Sequence, residues 1–511
     1  MGLFSPNQEN SKRVWGYEFE WTVHHLTPEQ MCPLMFSYDK LADDCLDRFD
    51  ELTTSLDTRS ITLKDNGVAN PDSGTDPSSH PPPDGKEKKK GCPHPDYYTL
   101  LRNHHSSDPT LDRLWTEVTT VPDWVDWTEI ERGQKVFYRY AGPATVALTF
   151  HSLLGGMGSR RVVETLARTG GFGINVARRR LLETFQHILD VTQSIGSIQP
   201  PGVGANTTEP EDSSGPGGKG EDKESADIKE RGKGFASTLR VRFLHASVRR
   251  RILRLARESP SYYSVEKHGI PISDLDCIGT ALTFSAALIF ISLPRQGIHL
   301  TPAETTSYLA LWRYIAHLLG TPTTLLSTPT LAKATLESLI ISEISPTPTS
   351  ALLANNIITS LAHRAPTFAS AAFLRAETHW LNGRELADAL GVPRPPWYYT
   401  AMVAWQCLFF MAVSYGRRAA PGWDAKGRVR VKGILRRFTG EILGGEARFG
   451  FVYVPAVGKG TVGEGAEVEG WMEGGIAVAV VVALMAVGWA VWACAGGSAF
   501  WASGLFQKVW G

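Results

Sequence analysis

Between positions 178 and 190 the chain reads RRRLLETFQHILD. Arg180, Thr184 and His187 are spaced four and then three apart, so on a helix they stack along one face where a plain core helix would place leucine. A second stretch, GFASTLRVRFLHASVRRRILRLAR at 234–257, sets His245 among Phe243, Leu244 and Ala246, four residues before Arg249. A histidine in such a setting is more often a satisfied core residue than a ligand. An arginine one turn away, however, is a natural partner for a carboxylate on a bound cofactor. Taken together, the two stretches suggest a haem pocket, with a neutral imidazole for iron, a guanidinium for propionates and small polar groups on the oxygen side.

Competing chemistries are disfavoured. There is no HExxH, no P-loop, and no GxSxG in a strand–turn–helix setting, so no hydrolase nucleophile is visible. Gly458, Gly460 and Gly463 fit GxGxxG, but an acidic loop follows instead of a helix, which reads as a linker. His24–His25 and His104–His105 are adjacent pairs whose side chains point apart, a poor arrangement for one metal. The six cysteines are scattered without a CxxC pair, so reduced thiols are expected in place of a zinc site or a disulfide framework. Lysine plus arginine equals aspartate plus glutamate at 52 each, which gives no electrostatic bias towards nucleic acid.

The elements that must carry these residues are helical by period. The spacing predicts helices over 28–54, 143–153, 160–168, 175–194, 235–257, 274–292, 302–318, 329–343, 350–362, 366–376 and 397–416. FGFVYVPAV at 449–457 is the one strand-like stretch. The fold class is therefore all-α. Residues 66–91 and 196–234 are rich in polar and turn-forming residues and nearly devoid of large apolar ones, so both read as disordered. The segment 476–494 is nineteen residues without a charge, enough at 1.5 Å per residue to cross a bilayer core of about 30 Å. Trp489, Trp492 and Trp501 lie near one end of it. No apolar run suited to a signal peptide opens the chain, and Pro6 spoils a myristoylation site, so the expectation is a C-terminal tail anchor with the bulk of the protein in the cytosol. Residues 280–293 read as a core helix; 397–416 read either as a core or membrane-facing helix or as a second span.

The block from Tyr138, YRYAGPATVALTFHSLLGGMGSRRVVETLARTGGFGINVARRRLLETFQHILDV, is followed by LRVRFLHASVRR, HGIPISDLDCIGTALTFSAAL and LTPAETTSYLALWRYIAHLLG. In this order the motifs resemble the family of fungal endoplasmic-reticulum-bound oxygenases of the mycophenolic-acid pathway and bacterial latex-clearing rubber oxygenases, over roughly 100–420. The resemblance implies an all-helical catalytic domain with one b-type haem, whose iron is held by the residue matching His245. Arg180 and Thr184 match an RxxxT motif beside the haem, and Glu164 in RRVVETLAR matches a glutamate proposed as the base. His187 shares the Arg180/Thr184 face and is either a distal residue or a core histidine. One position departs from the latex-clearing enzymes: their lysine before the threonine is Glu183 here.

The expected organisation is a helical N-terminal segment 1–65, a disordered linker 66–91, a catalytic domain 100–420 with an insertion at 196–234, an irregular linker 421–474 and a transmembrane helix 475–495. The expected function is a membrane-anchored, haem-dependent oxygenase of the endoplasmic reticulum, in fungal secondary metabolism. It would use dioxygen to cleave a carbon–carbon double bond in a lipophilic, prenyl-like substrate. The expected site is Glu164, Arg180 and Thr184 for catalysis, with His245, Arg249 and His187 holding haem b and His245 its iron. The alternative is a non-catalytic haem-binding or scaffold protein of the same fold.

Overall fold

Side-chain caps set many of the helix starts in the computed structural model, which describes residues 10–65, 96–203, 231–444, 474–476 and 479. Helix α1 spans Lys40–Asp65, α2 Tyr97–His104, α3 Pro109–Thr119, α4 Trp127–Arg139, α5 Ala141–Ala147, α6 Arg160–Thr169, α7 Ile174–Val191 and α8 Lys233–Glu258. Then come α9 Asp274–Phe284, α10 Pro302–Leu318, α11 Pro329–Glu343, α12 Pro348–Leu361, α13 Ala371–Asn382, α14 Trp397–Ala419 and α15 Pro421–Leu443. Asp108 caps α3 by accepting from the Thr110 and Leu111 amides at 2.9 and 3.2 Å. Thr301 and Glu304 form a reciprocal capping box on α10, with proline at the first helical position.

The all-α class holds, with local corrections. The N-terminal segment opens as a hairpin, Ser11–Val14 (β1) against Tyr17–Glu20 (β2), not as helix. Its two-residue turn, Trp15 and Gly16, has φ of 51° and 72°, the left-handed pair that a primed turn requires. The helix expected over 28–54 breaks at Pro33 into a turn at Pro28–Met31, a 3₁₀ turn at Cys32–Met35 and then α1. That expected over 366–376 starts later, because Ser370 caps α13 by accepting from the Phe373 amide at 3.1 Å. Helices α2, α3 and α4 were not read from period at all. Much of the expected irregular linker 421–474 is α15, whose buried Asp424 accepts from Arg139 at 2.8 Å and Arg428 at 3.0 Å. The insertion expected at 196–234 is narrower too: Ile195–Ile198 forms a helical turn and α8 begins at Lys233, the Gly232 amide donating to the Gly196 carbonyl at 2.9 Å. The linker 66–91, the strand-like 449–457 and nearly all of the expected C-terminal span lie outside the described residues.

Two apolar cores form. The larger gathers α1, α3, α4, α8, α9 and α10. Helices α4 and α10 approach so closely that a Cβ on Gly133 would lie 2.3 Å from the Ser307 carbonyl oxygen, so glycine is required there. The second core gathers Phe150, Leu154, Val163, α12, α13 and α14. Two π-helical stretches, Leu148–Leu154 after α5 and Leu288–Ser292 after α9, lie between the cores. Among the described residues one helical segment is long and apolar enough to cross a membrane, Asp274–Arg295, and more than half of its apolar window is buried inside the protein. This fits the core helix expected over 280–293. Helix α14 buries Tyr399, Val403, Gln406 and Cys407 and exposes Trp397, Leu408 and Phe409 on its other side, as a core helix with a bare face does.

Candidate active site

A cavity of about 720 Å³ lies between the cores and is lined chiefly by apolar side chains. Helix α7 brings Arg180, Glu183, Thr184 and His187 to it, and α8 brings His245. The two helices pack on each other, so the polar stripe of one faces the imidazole of the other.

His187 is 7% exposed, and its Nδ1 lies 2.9 Å from the Ser237 hydroxyl on α8. Burial, and then the neighbouring His245, push its pKa down to about 4. His245 is likewise pushed down to about 4, by burial first and then by Arg249 one turn on, against Asp39. Both rings are therefore neutral at pH 7. Among the described residues nothing hydrogen-bonds the His245 ring. Arg180 is lowered mainly by burial and contacts Glu183 at 3.5 Å. Glu183 is buried and also accepts from Arg179 Nε at 3.0 Å. With two guanidiniums on it, this carboxylate is satisfied within α7.

Two expected site residues stand elsewhere. Glu164 is not on the cavity wall: Arg161, Val162, Thr165, Leu166 and Thr169 are, and at 100° per residue Glu164 falls on the other flank of α6, where Arg168 holds its carboxylate. Arg249 is no cofactor ligand in this arrangement. Its guanidinium, 1% exposed in the residue as a whole, pairs with Asp43 at 2.6 Å and donates to the carbonyls of Asp39 and Ile272 at 2.9 and 3.0 Å. It ties α8 to α1, four of its five N–H donors are taken there, and it does not line the cavity. Truncating one partner of such a pair strands a buried charge. Arg249→Leu is therefore expected to lower unfolding stability by about 3–5 kcal/mol, with Arg249→Leu/Asp43→Leu recovering part of the loss in urea melts.

Three cavity residues escape sequence reasoning because no motif or spacing marks them: His151, Arg295 and Glu377. His151 Nδ1 lies 3.0 Å from the Leu381 carbonyl, and burial pushes its pKa down to about 4, with Arg295 adding to the shift. Glu377 is raised to about 7 by burial, opposed by the donor Gln406 Nε2. A polar residue at a buried helical phase was the available signal.

Among the described residues no three His, Cys, Asp or Glu side chains converge as a metal site would need. The donors that are present, neutral imidazoles from separate elements on one apolar cavity, fit haem, whose iron would need few ligands from the protein.

A match of 56% identity over 32 residues joins the chain to aurantioclavine synthase cnsA of Penicillium expansum; it spans 6% of this chain and 7% of that protein. The solved structure of latex clearing protein LCP in the closed state aligns at 16% identity with a TM-score of 0.44, over 67% of this chain and 89% of LCP. The family model described as "ER-bound oxygenase mpaB/B'/Rubber oxygenase, catalytic domain" matches residues 138–413, which take in α5 through most of α14 and every cavity residue discussed above. More than half of the chain is covered, and the protein belongs to the ER-bound oxygenase mpaB/B′ and rubber oxygenase family.

Proposed function

We propose that the protein is a haem b-dependent oxygenase that uses dioxygen to cleave a carbon–carbon double bond in a lipophilic, prenyl-like substrate. The observation that carries this reading is the pair of neutral imidazoles, His187 and His245, opening on one apolar cavity beside Arg180 and Thr184. Bound haem would supply dioxygen activation. His245, whose ring has no hydrogen-bond partner among the described residues, would hold the iron. His187, with Nδ1 at Ser237, is fixed in orientation and lines the same cavity from the opposite helix. Arg180 and Thr184 would orient the small polar ligand, and the apolar walls would exclude water and take the hydrocarbon chain. Glu183, held by Arg179 and Arg180, does not replace the lysine of the latex-clearing enzymes as an iron cap.

A membrane location, with the span at 475–495 as anchor and the endoplasmic reticulum as the compartment, is part of the same proposal. The exposed Trp397, Leu408 and Phe409 of α14 and Trp423, Val429 and Ile434 of α15 support it. Helix α15 interleaves those apolar side chains with the exposed Lys426 and Arg430, the composition of a helix lying at an anionic lipid surface. The two facing imidazoles also favour a second reading, a six-coordinate, non-catalytic haem protein with both rings on the iron.

The full chain purified in detergent is expected to carry a Soret band. Absence of the band even after haem supplementation overturns the proposal. A bis-imidazole spectrum that dioxygen does not perturb decides for the second reading.

A further inference from the structure

The two π-helical stretches meet at the cavity wall; the first brings His151 to it, beside Thr149 and Ser152, and the α-helical turn Leu293–Arg295 that follows the second brings Arg295. Such insertions recur at functional sites. Both side chains donate to one acceptor, the Leu381 carbonyl near the end of α13: His151 through Nδ1 at 3.0 Å and Arg295 through Nη1. The Arg295 carbonyl is in turn held by Trp380 Nε1 at 2.8 Å. Two nitrogens on one oxygen place the imidazole and the guanidinium side by side.

Because a carbonyl only accepts, His151 Nδ1 carries the hydrogen and Nε2 is left as a lone pair. Arg295 has no carboxylate within ion-pair distance among the described residues. Arg161, on another part of the same wall, is by contrast closed by Asp276 and Glu343 at 2.7 Å each. Burial lowers the Arg295 pKa, a cost that an anionic partner would remove. A carboxylic acid matches what is offered: guanidinium N–H groups donate to one oxygen, and the acid proton is shared between the other oxygen and His151 Nε2. Arg180, by contrast, shares α7 with His187 and is the guanidinium placed for a group bound between the two imidazoles.

We propose that Arg295 and His151 form a carboxylic-acid-binding subsite that anchors the acid end of an otherwise apolar substrate. This rests on the reading of the cavity as the oxygenase site and adds to it the class of substrate.

The test uses the full chain in detergent, titrated with farnesoic acid and with methyl farnesoate, binding being followed by quenching of tryptophan fluorescence. The acid is expected to bind the wild type roughly tenfold to hundredfold more tightly than the ester, the range of one charge-assisted hydrogen bond or pair. Arg295→Gln should abolish the preference, Arg295→Lys should retain part of it, and ester affinity should stay unchanged in both. If Arg295→Gln no longer binds the ester, His151→Phe, expected to reduce the preference, carries the same comparison. Equal affinity for acid and ester in the wild type, or a preference that survives Arg295→Gln, overturns the subsite. So does loss of the Soret band in Arg295→Gln from a wild type indifferent to acid and ester, which would assign the guanidinium to a haem propionate. An acid preference in a chain that takes up no haem supports the subsite while failing the haem assignment, so the two readings fail separately.

Discussion

His245→Ala is expected to purify without a Soret band, while His187→Ala keeps one with a shifted maximum or altered ligand response. The asymmetry follows from the partners of the two rings. His187 spends Nδ1 on Ser237, within a helix pair that stays intact when its ring is removed. His245 makes no hydrogen bond among the described residues that would account for a histidine at this depth. An imidazole on an apolar cavity wall without a structural partner costs more than an apolar side chain of its size, so its presence is explained by what it binds. Replacement by alanine should leave the fold standing and take the haem away. Retention of haem at wild-type stoichiometry in His245→Ala would move the iron to His187 or refute axial ligation from α8.

Acid lability is the second large effect. His151, His187 and His245 are all pushed to about 4, against about 6.5 for a free imidazole. Between these values the unfolded chain binds protons that the folded chain refuses, so stability is present above about pH 6.5 and is lost as pH falls towards 4. Glu377 works in the opposite sense. Raised to about 7 from 4.5, it binds a proton in the folded state that the unfolded chain releases, so its contribution is lost as pH rises through 4.5 to 7. Near pH 5.5 the three histidines outweigh the one carboxyl, and these four groups take up about two protons on unfolding. The resulting slope is roughly 2–3 kcal/mol of stability per pH unit. In urea melts of the haem-free chain, His187→Gln should reduce that slope by about 1.4 kcal/mol per pH unit and Glu377→Gln should steepen it. A slope indifferent to both substitutions would mean that these groups titrate normally in the folded protein.

The row of Arg180, Thr184 and His187 was legible because helical period makes a polar stripe on an apolar helix visible in one dimension. His245 was legible through its motif and its apolar neighbours, and the family followed from motifs in order. Apolar period likewise marked α6 through α12 and α14 with small boundary errors, since it is a local property. Helix α15 was misread because its glycines and its dense basic residues imitate a linker. What makes it a helix is a buried Asp424 between Arg139 and Arg428, contacts that exist only once the chain has folded.

The tertiary structure alone decided which polar residues share the cavity. Arg249 is one turn from His245 in sequence, yet it points to Asp43 on a helix about two hundred residues away in the chain. Glu164 carries the right motif but lies on the wrong flank of α6. His151, Arg295 and Leu381 are far apart in sequence and meet at one carbonyl oxygen. Sequence alone determined the chemistry available on each helix, because side-chain type and helical phase are local. Which of those groups face one another depends on how helices distant in the chain pack, and no period within a single helix encodes that.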